Sequence, residues 1–302
     1  MELPTVDIVT LSYSDAKHFP KYIQALSGLA YPSDKLKLII VDNGSTDGAV
    51  PLLKELLPTL PFAAELIESG ANLGFAGGCN RGAFHGNGDY ILFLNPDTQV
   101  DSDMVRILAE RALSEPRAGL VEAAQYPHEL SKWFDPMTHY TDWCSGGSVL
   151  AKREIFTSIG GFDTFFHPIY CEDVDLSWRM WLAGWRCVYE PRARVRHDSV
   201  LPDGQQKPIE LSHSIKFSFA MHFKYDSWQG LAAHLIRGLR YLISPRTNEL
   251  TRRAVADGLI MVARKLPYLM EHRRKSQRAL KNSQERERFV FTEWYYGRWR
   301  TN

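Results

Sequence analysis

No stretch of the chain approaches about 18 uninterrupted apolar residues, the length at which a membrane-spanning helix is read from sequence. The amino terminus, MELPTVDIVTLSY, lacks a basic region followed by an apolar run. Neither a span nor a secretory leader is therefore expected, and the protein is expected to be made and kept in the cytoplasm. C-x-x-C spacing is missing too: Cys79, Cys144, Cys171 and Cys187 lie scattered. That argues against a zinc ribbon and a disulfide framework, and predicts buried free thiols. The segment GANLGFAGGCNRG fits neither G-x-G-x-x-G nor G-x-x-x-x-G-K-[ST], so a Rossmann dinucleotide site and a P-loop are both unsupported. There is no internal repeat and no low-complexity tract.

What is present is ordinary globular material. Of 302 residues, 44% are hydrophobic and 24% charged, enough to bury a full core in about two domains or in one large α/β domain with an appendage. The net charge of +1 hides a split: residues 1–200 carry 17 Lys and Arg against 26 Asp and Glu, a net of −9, whereas residues 201–302 carry 19 against 9, a net of +10. An acidic body joined to a basic tail predicts that the tail meets something anionic, membrane lipid or nucleic acid.

Residues 6–11 (VDIVTL), 36–41 (LKLIIV), 63–67 and 90–94 (YILFL) read as short strands. Phe19, Ile23, Leu26 and Leu29 recur at helical spacing between the first two, and the glycine-rich segment separates the last two. This β-α-β-α-β order predicts a mostly parallel sheet covered by helices, with ligands at the carboxyl ends of its strands. After residue 121 the pattern turns irregular through QYPHELSKWFDPMTHYTDW, which predicts a long mobile loop. Order returns at Ser148 with a strand, a short helix and a GG turn. Beyond Pro202, Trp228, Leu231, Leu235, Leu239 and Leu242 form one helical stripe, and Val255, Leu259, Val262, Leu266 and Leu269 form a second. Arg264, Lys265, Arg273, Arg274, Lys275 and Arg278 line that second helix.

Four polar clusters each have two readings. VDNGSTDG after the second strand is turn and helix-cap chemistry, or Asp42 accepts hydrogen bonds from a nucleotide. Gly74, Gly77 and Gly78 turn the chain, or let backbone amides approach a diphosphate at a helix amino terminus. LNPDT is a turn, or sets Asp97 where a carboxylate and phosphate oxygens hold Mg²⁺ or Mn²⁺. In CEDVDLSWRMWLAGW, Glu172, Asp173 and Asp175 start a helix with Leu176, Met180 and Ala183 on its inner side. Each acid there gains about 0.3–1 kcal/mol from the helix dipole. Alternatively, a partly desolvated carboxylate beside other acids is raised in proton affinity and becomes a general base. Arg179, four residues after Asp175, pairs with it either at the site or as a structural ion pair.

VTLSY, VDNGSTDG, NLGFAGGCNRG, LNPDT, SGGSVLAKREIFTSIGGFD, EDVDLSWRMWLAGW and YEPRARVRH, in this order, resemble the family 2 glycosyltransferases of the GT-A fold, particularly the bacterial rhamnosyltransferase-like branch. The resemblance spans most of residues 5–198 and stops short of the last hundred. It implies a GT-A catalytic domain over 1–200, with a nucleotide-sugar half to about 100 and an acceptor half beyond, followed by a basic helical region over 201–302. It also implies roles for single residues. Thr10, Ser12, Tyr13 and Asp42 look like the nucleoside pocket, with Asn72, Gly74, Asn80 and Asn95 on the rest of the donor. Asp97 matches the last residue of the D-x-D metal motif, written here N-P-D with Asn95 in first place, and His197 matches a histidine that completes the metal site in some members. Asp173 looks like the catalytic base, with Trp143, Gly146, Gly147, Glu172 and Asp175 on the acceptor side.

The implied reaction is inverting transfer of a sugar, dTDP-rhamnose being the donor the resemblance favours, to a hydroxyl of a glycan or lipid-linked acceptor in bacterial cell-surface polysaccharide synthesis. It would use Mg²⁺ or Mn²⁺, with the loop over 126–143 closing on the donor. The basic tail would then lie at the inner face of the cell membrane, or serve as a helical cap or homodimer interface; nucleic acid is set aside because no recognised module is present. Two rivals stand. A sugar nucleotidyltransferase needs a glycine- and arginine-rich loop after the first strand, which TLSYSDAKHFP lacks, and a noncatalytic scaffold is suggested by the altered N-P-D.

Overall fold

The computed structural model describes residues 2–127, 132, 134–197 and 207–282. They divide into two compact units, one of residues 2–180 and 185–197, the other of 181–184 and 207–282. The expected domain boundary at 200 lies outside the described residues.

The first unit is built on an eight-stranded sheet. Its strands in chain order are β1 (Val6–Ser12), β2 (Leu36–Asp42), β3 (Ala63–Glu68), β4 (Tyr90–Leu94), β5 (Thr98–Val100), β6 (Ala118–Tyr126), β7 (Ser148–Lys152) and β8 (Arg186–His197), arranged β3-β2-β1-β4-β7-β6-β8-β5. The expected strands are present, and β1 pairs in parallel with both β2 and β4, as does β2 with β3. The other half is mixed, because β7 runs antiparallel to β4 and β6, and β5 antiparallel to β8. Six helices accompany the sheet: α1 (Phe19–Ser27), α2 (Ala49–Leu56), α3 (Gly74–His85), α4 (Met104–Ser114), α5 (Arg153–Ser158) and α6 (Glu172–Leu182). Ile8, Leu38, Ile40, Leu92, Val121 and Leu150 from the strands pack with Phe19, Leu26, Leu53 and Leu108 from the helices. All four cysteines are buried and free, as expected.

The glycines of α3 turn out to serve packing as well as turning. A Cβ on Gly78 would lie 2.1 Å from Leu11 Cδ1, so a bare backbone is what lets α3 lie this close to β1. α6 differs from expectation in a similar way: Leu176 and Met180 are buried, but so are Val174, Ser177 and Trp178, while Ala183 is exposed beyond the helix end.

The loop expected to be mobile is fastened where it is described. Phe134 bridges Thr141, Tyr140 bridges Val188, and the Asp135 carboxylate accepts the N–H groups of Met137 and Thr138 at 3.0 and 2.8 Å. Residues 128–131 and 133 of the expected lid lie outside the described residues.

The second unit contains α7 (Pro208–Tyr225), α8 (Trp228–Ile243), α9 (Glu249–Arg264) and α10 (Leu266–Asn282). The second predicted stripe is two helices, broken at Lys265 before Pro267, whose ring cannot continue a helix from the preceding turn. α7 has no readable stripe because Phe217–Tyr225 is buried throughout, leaving no polar face to give a period.

Candidate active site

The carboxyl ends of β1 and β2 carry the first cluster. Asp42 is buried; its Oδ2 accepts the N–H groups of Gly44 and Ser45 at 3.0 and 3.1 Å, while its Oδ1 has no partner. Asn43, read from the sequence only as a turn residue, ties this turn to the next. Its side chain donates to Asn72 Oδ1 at 3.0 Å and accepts the Leu73 N–H at 2.9 Å, and Asn72 Oδ1 also accepts the Gly74 N–H at 2.8 Å. Gly74 starts α3 at φ +72°, with a would-be Cβ 2.6 Å from His167 Nδ1, so only glycine fits. Ser12 Oγ meets Ser45 Oγ at 3.3 Å, and Tyr13 is exposed beside this end.

Two predicted donor residues are placed elsewhere. Thr10 is buried with its hydroxyl paired to the Tyr22 hydroxyl inside the core. Asn80 accepts the Phe162 N–H and donates to the Phe162 carbonyl, both at 2.8 Å, so its amide holds the GG turn.

The second cluster joins the ends of β4 and β8. The pairing of Thr98 with His197 sets His197 Nε2 3.1 Å from Asp97 Oδ1. On the ring's other side Nδ1 donates to Gln125 Oε1 at 2.8 Å, which orients the ring so that Nε2 faces Asp97. Gln125 carried no sequence signal. Asp15 faces this corner: burial raises its carboxyl above the ordinary range, the Tyr13 N–H works against that, and the nearby charge of Asp97 adds to it. Asn95 donates its backbone N–H to the Gly147 carbonyl at 3.0 Å.

The third cluster is the first turn of α6, where three acids have three environments. Asp175 is fully buried and takes Arg179 Nε at 2.8 Å, and Arg179 donates onward to the carbonyls of Ile159 and Gly161. This is the structural ion pair. Glu172 is buried with Oε2 unpartnered, and burial, then the charges of Asp173 and Asp175, push its carboxyl well above the usual range. Asp173 is half-buried. Its Oδ1 accepts the Val174 N–H at 2.8 Å and its Oδ2 the Gly146 N–H at 3.2 Å; burial raises it, and those two amides hold the rise in check.

Gly146 and Gly147 join the clusters. Gly146 donates to Asp173, and a Cβ on it would lie 3.0 Å from the Phe75 ring at the start of α3. A Cβ on Gly147 would lie 3.3 Å from Asn95 Nδ2 and 3.6 Å from His197 Cε1. Two adjacent residues thus touch the carboxylate of α6, the opening of α3 and the Asp97–His197 corner. Ser177, four residues after Asp173, anchors the same loop by accepting the Cys144 N–H at 3.0 Å and donating to the Asp173 carbonyl at 2.7 Å. Trp143 is half-buried, with Lys132 Nζ 5.4 Å from its ring centre and 3.2 Å from its carbonyl.

Among the described residues no group of three or more His, Cys, Asp and Glu side chains could hold a metal alone. The Asp97–His197 pair is a two-donor set. It fits an ion such as Mg²⁺ or Mn²⁺ that draws its remaining ligands from phosphate oxygens and water.

Residues 7–174 match Glycosyl transferase family 2. The chain belongs to that family. It is a glycosyltransferase. It is 27% identical over 279 residues to N-acetylglucosaminyl-diphospho-decaprenol L-rhamnosyltransferase of Mycobacterium tuberculosis (strain CDC 1551 / Oshkosh), covering 76% of this chain and 89% of that one. It is 24% identical over 210 residues to poly-beta-1,6-N-acetyl-D-glucosamine synthase of Staphylococcus aureus (strain COL), covering 64% of this chain but only 49% of that relative. Among solved structures it is similar to GalNAc-T7 with UDP, GalNAc and Mn2+, at a TM-score of 0.64, 14% identity, 85% of this chain and 55% of that one. It is also similar to mannosyltransferase PcManGT from Pyrobaculum calidifontis in complex with GDP-Man and Mn2+, at 0.56, 17% identity, 100% and 89%. These likenesses establish the GT-A fold with a helical carboxyl-terminal region.

Proposed function

We propose that the chain is an inverting, metal-assisted transferase that moves a sugar from a nucleotide diphosphate sugar to a hydroxyl of a glycan or lipid-linked acceptor. The observation that carries this reading is the Gly146-Gly147 step, which couples Asp173 to the Asp97–His197 corner. Asp173 takes the proton of the acceptor hydroxyl as that oxygen forms its bond to the anomeric carbon, and the nucleoside diphosphate departs from the opposite face. Inversion follows from one in-line displacement. A positioned base of this kind contributes about 10²–10⁴-fold. Asp97 and His197 would hold the divalent ion, which when bound offsets the charge that builds on the departing diphosphate. The lone unpartnered Oδ1 of Asp42 suits the single imide N–H of uracil or thymine.

The name of the mycobacterial relative supports L-rhamnose as the sugar, a lipid-linked diphosphate sugar as the acceptor, and cell-surface glycan synthesis as the setting. Such an acceptor would bring a cytoplasmic protein to the inner face of the cell membrane. Among the described residues no helix is long and apolar enough to cross a membrane. The test is a panel of UDP-, dTDP- and GDP-sugars with Mg²⁺ or Mn²⁺, scored for donor hydrolysis and then for transfer. Turnover of a dTDP-sugar that Asp173→Asn abolishes is the expected result; unchanged transfer by that variant would remove the base assignment.

A further inference from the structure

α8 has two apolar faces, and among the described residues only one of them is covered. Leu231, His234 and Gly238 face inward and are buried. Trp228, Ala232, Ile236, Leu239 and Ile243 recur at spacings of four, four, three and four, which places them on one stripe. All five are exposed, Ile236 at 51%, Leu239 at 54%, Trp228 at 61% and Ile243 at 83%. The sequence put Trp228, Leu231 and Leu239 on one stripe; in the fold Leu231 is buried while Trp228 and Leu239 are exposed. Isolated exposed apolar residues are ordinary, but a stripe four turns long marks an interaction surface.

The charge around the stripe indicates what covers it. α8 contains no Asp or Glu. Arg240 borders the stripe, Arg246 follows its end, and the Arg273 guanidinium lies 3.8 Å from the ring centre of Trp228. Over residues 207–282 there are 15 Lys and Arg against 5 Asp and Glu, a net of +10. Pairing this surface with a second copy of itself would set Arg240 and Arg246 of the two copies together in a unit that is basic overall. An anionic bilayer instead neutralises them while burying the stripe, as interfacial helices with apolar and basic faces do.

We propose that the outward face of α8 lies in the headgroup region of an anionic lipid bilayer, with the Trp228, Ile236, Leu239 and Ile243 side chains inserted and Arg240 and Arg246 at the lipid phosphates. This goes beyond the transferase reading. It needs no donor or acceptor, so either can fail alone.

The experiment is co-sedimentation of the full chain with phosphatidylcholine vesicles, with and without phosphatidylglycerol, across a salt series, alongside its oligomeric state by light scattering. Wild type should pellet with the phosphatidylglycerol vesicles, more weakly as salt rises, and stay with the supernatant on phosphatidylcholine alone. Ile236→Glu/Leu239→Glu/Ile243→Glu should abolish pelleting while keeping a wild-type circular dichroism spectrum. Arg240→Gln and Arg246→Gln, which leave the stripe intact, should each weaken binding roughly fivefold and flatten the salt dependence. Wild type left in the supernatant at low salt would overturn the proposal. Equal pelleting of the variants and wild type would do the same, as would a wild-type dimer that the glutamate variant converts to monomer.

Discussion

The strand ends of the site and its helix end use carboxylates in opposite ways. At the strand ends, Asp42 is held by two turn amides and Asp97 lies 3.1 Å from His197 Nε2. At the start of α6, burial dominates and raises both Glu172 and Asp173. A carboxylate set against N–H donors suits holding a partner in place; one raised in proton affinity suits taking a proton. Within α6 a second contrast applies, since Asp175 is paired with Arg179, whereas Asp173 is held by backbone amides with the Lys132 charge nearby.

Breaking the comparison at Asp173 should have the largest effect. Asp173→Asn is expected to lower kcat by about 10²–10⁴-fold with donor affinity little changed, by steady-state kinetics and donor titration. Because Asp173 must be deprotonated and burial raises it, kcat/KM in the wild type should fall with decreasing pH at values above the ordinary carboxylate range. A pH profile flat through mild acid would contradict that.

Next comes the buried pair. Asp175→Asn leaves Arg179 without its counter-charge and is expected to cost about 3–5 kcal/mol in chemical denaturation, loosening the 159–161 turn. At the strand ends, Gln125→Leu removes the partner that orients His197, and should weaken activation by Mg²⁺ or Mn²⁺ by about 10–100-fold while leaving the melting temperature close to wild type.

The smallest effect is at Glu172. Its folded proton affinity is raised, so the stability it contributes is fully present below the unfolded carboxylate range and is lost as pH rises through the folded value. Glu172→Gln should therefore raise the melting temperature at neutral pH and change it little in acid. A gain of equal size at both would show that Glu172 is not held protonated by its surroundings.

Much of the first unit was legible because its signals are local. β1 to β4 announce themselves by short β-branched runs, α1 by its spacing, and the polar strand ends by turn chemistry. β5, β8 and α7 were not. β5 is three residues long, β8 reads as alternating Arg, Ala and Val inside a polar stretch, and α7 lacks a polar face over Phe217–Tyr225. The site was legible as a set of candidates and not as a set of roles, since Thr10 and Asn80 matched the expected pattern yet their partners are Tyr22 and Phe162.

By itself the sequence determined the first four strands and their order, the acidic and basic halves, and the few segments in which chemistry had to be sought. Period, turn propensity and composition are properties of neighbouring residues, and they survive without a fold. Only the tertiary structure decided which of three acids in one helical turn faces Gly146, that Gln125 reaches His197 across 72 residues, and that Asn80 is spent on Phe162 across 82. Each of those depends on burial and on a partner distant in the chain, and both come into being when the sheet brings its strand ends together.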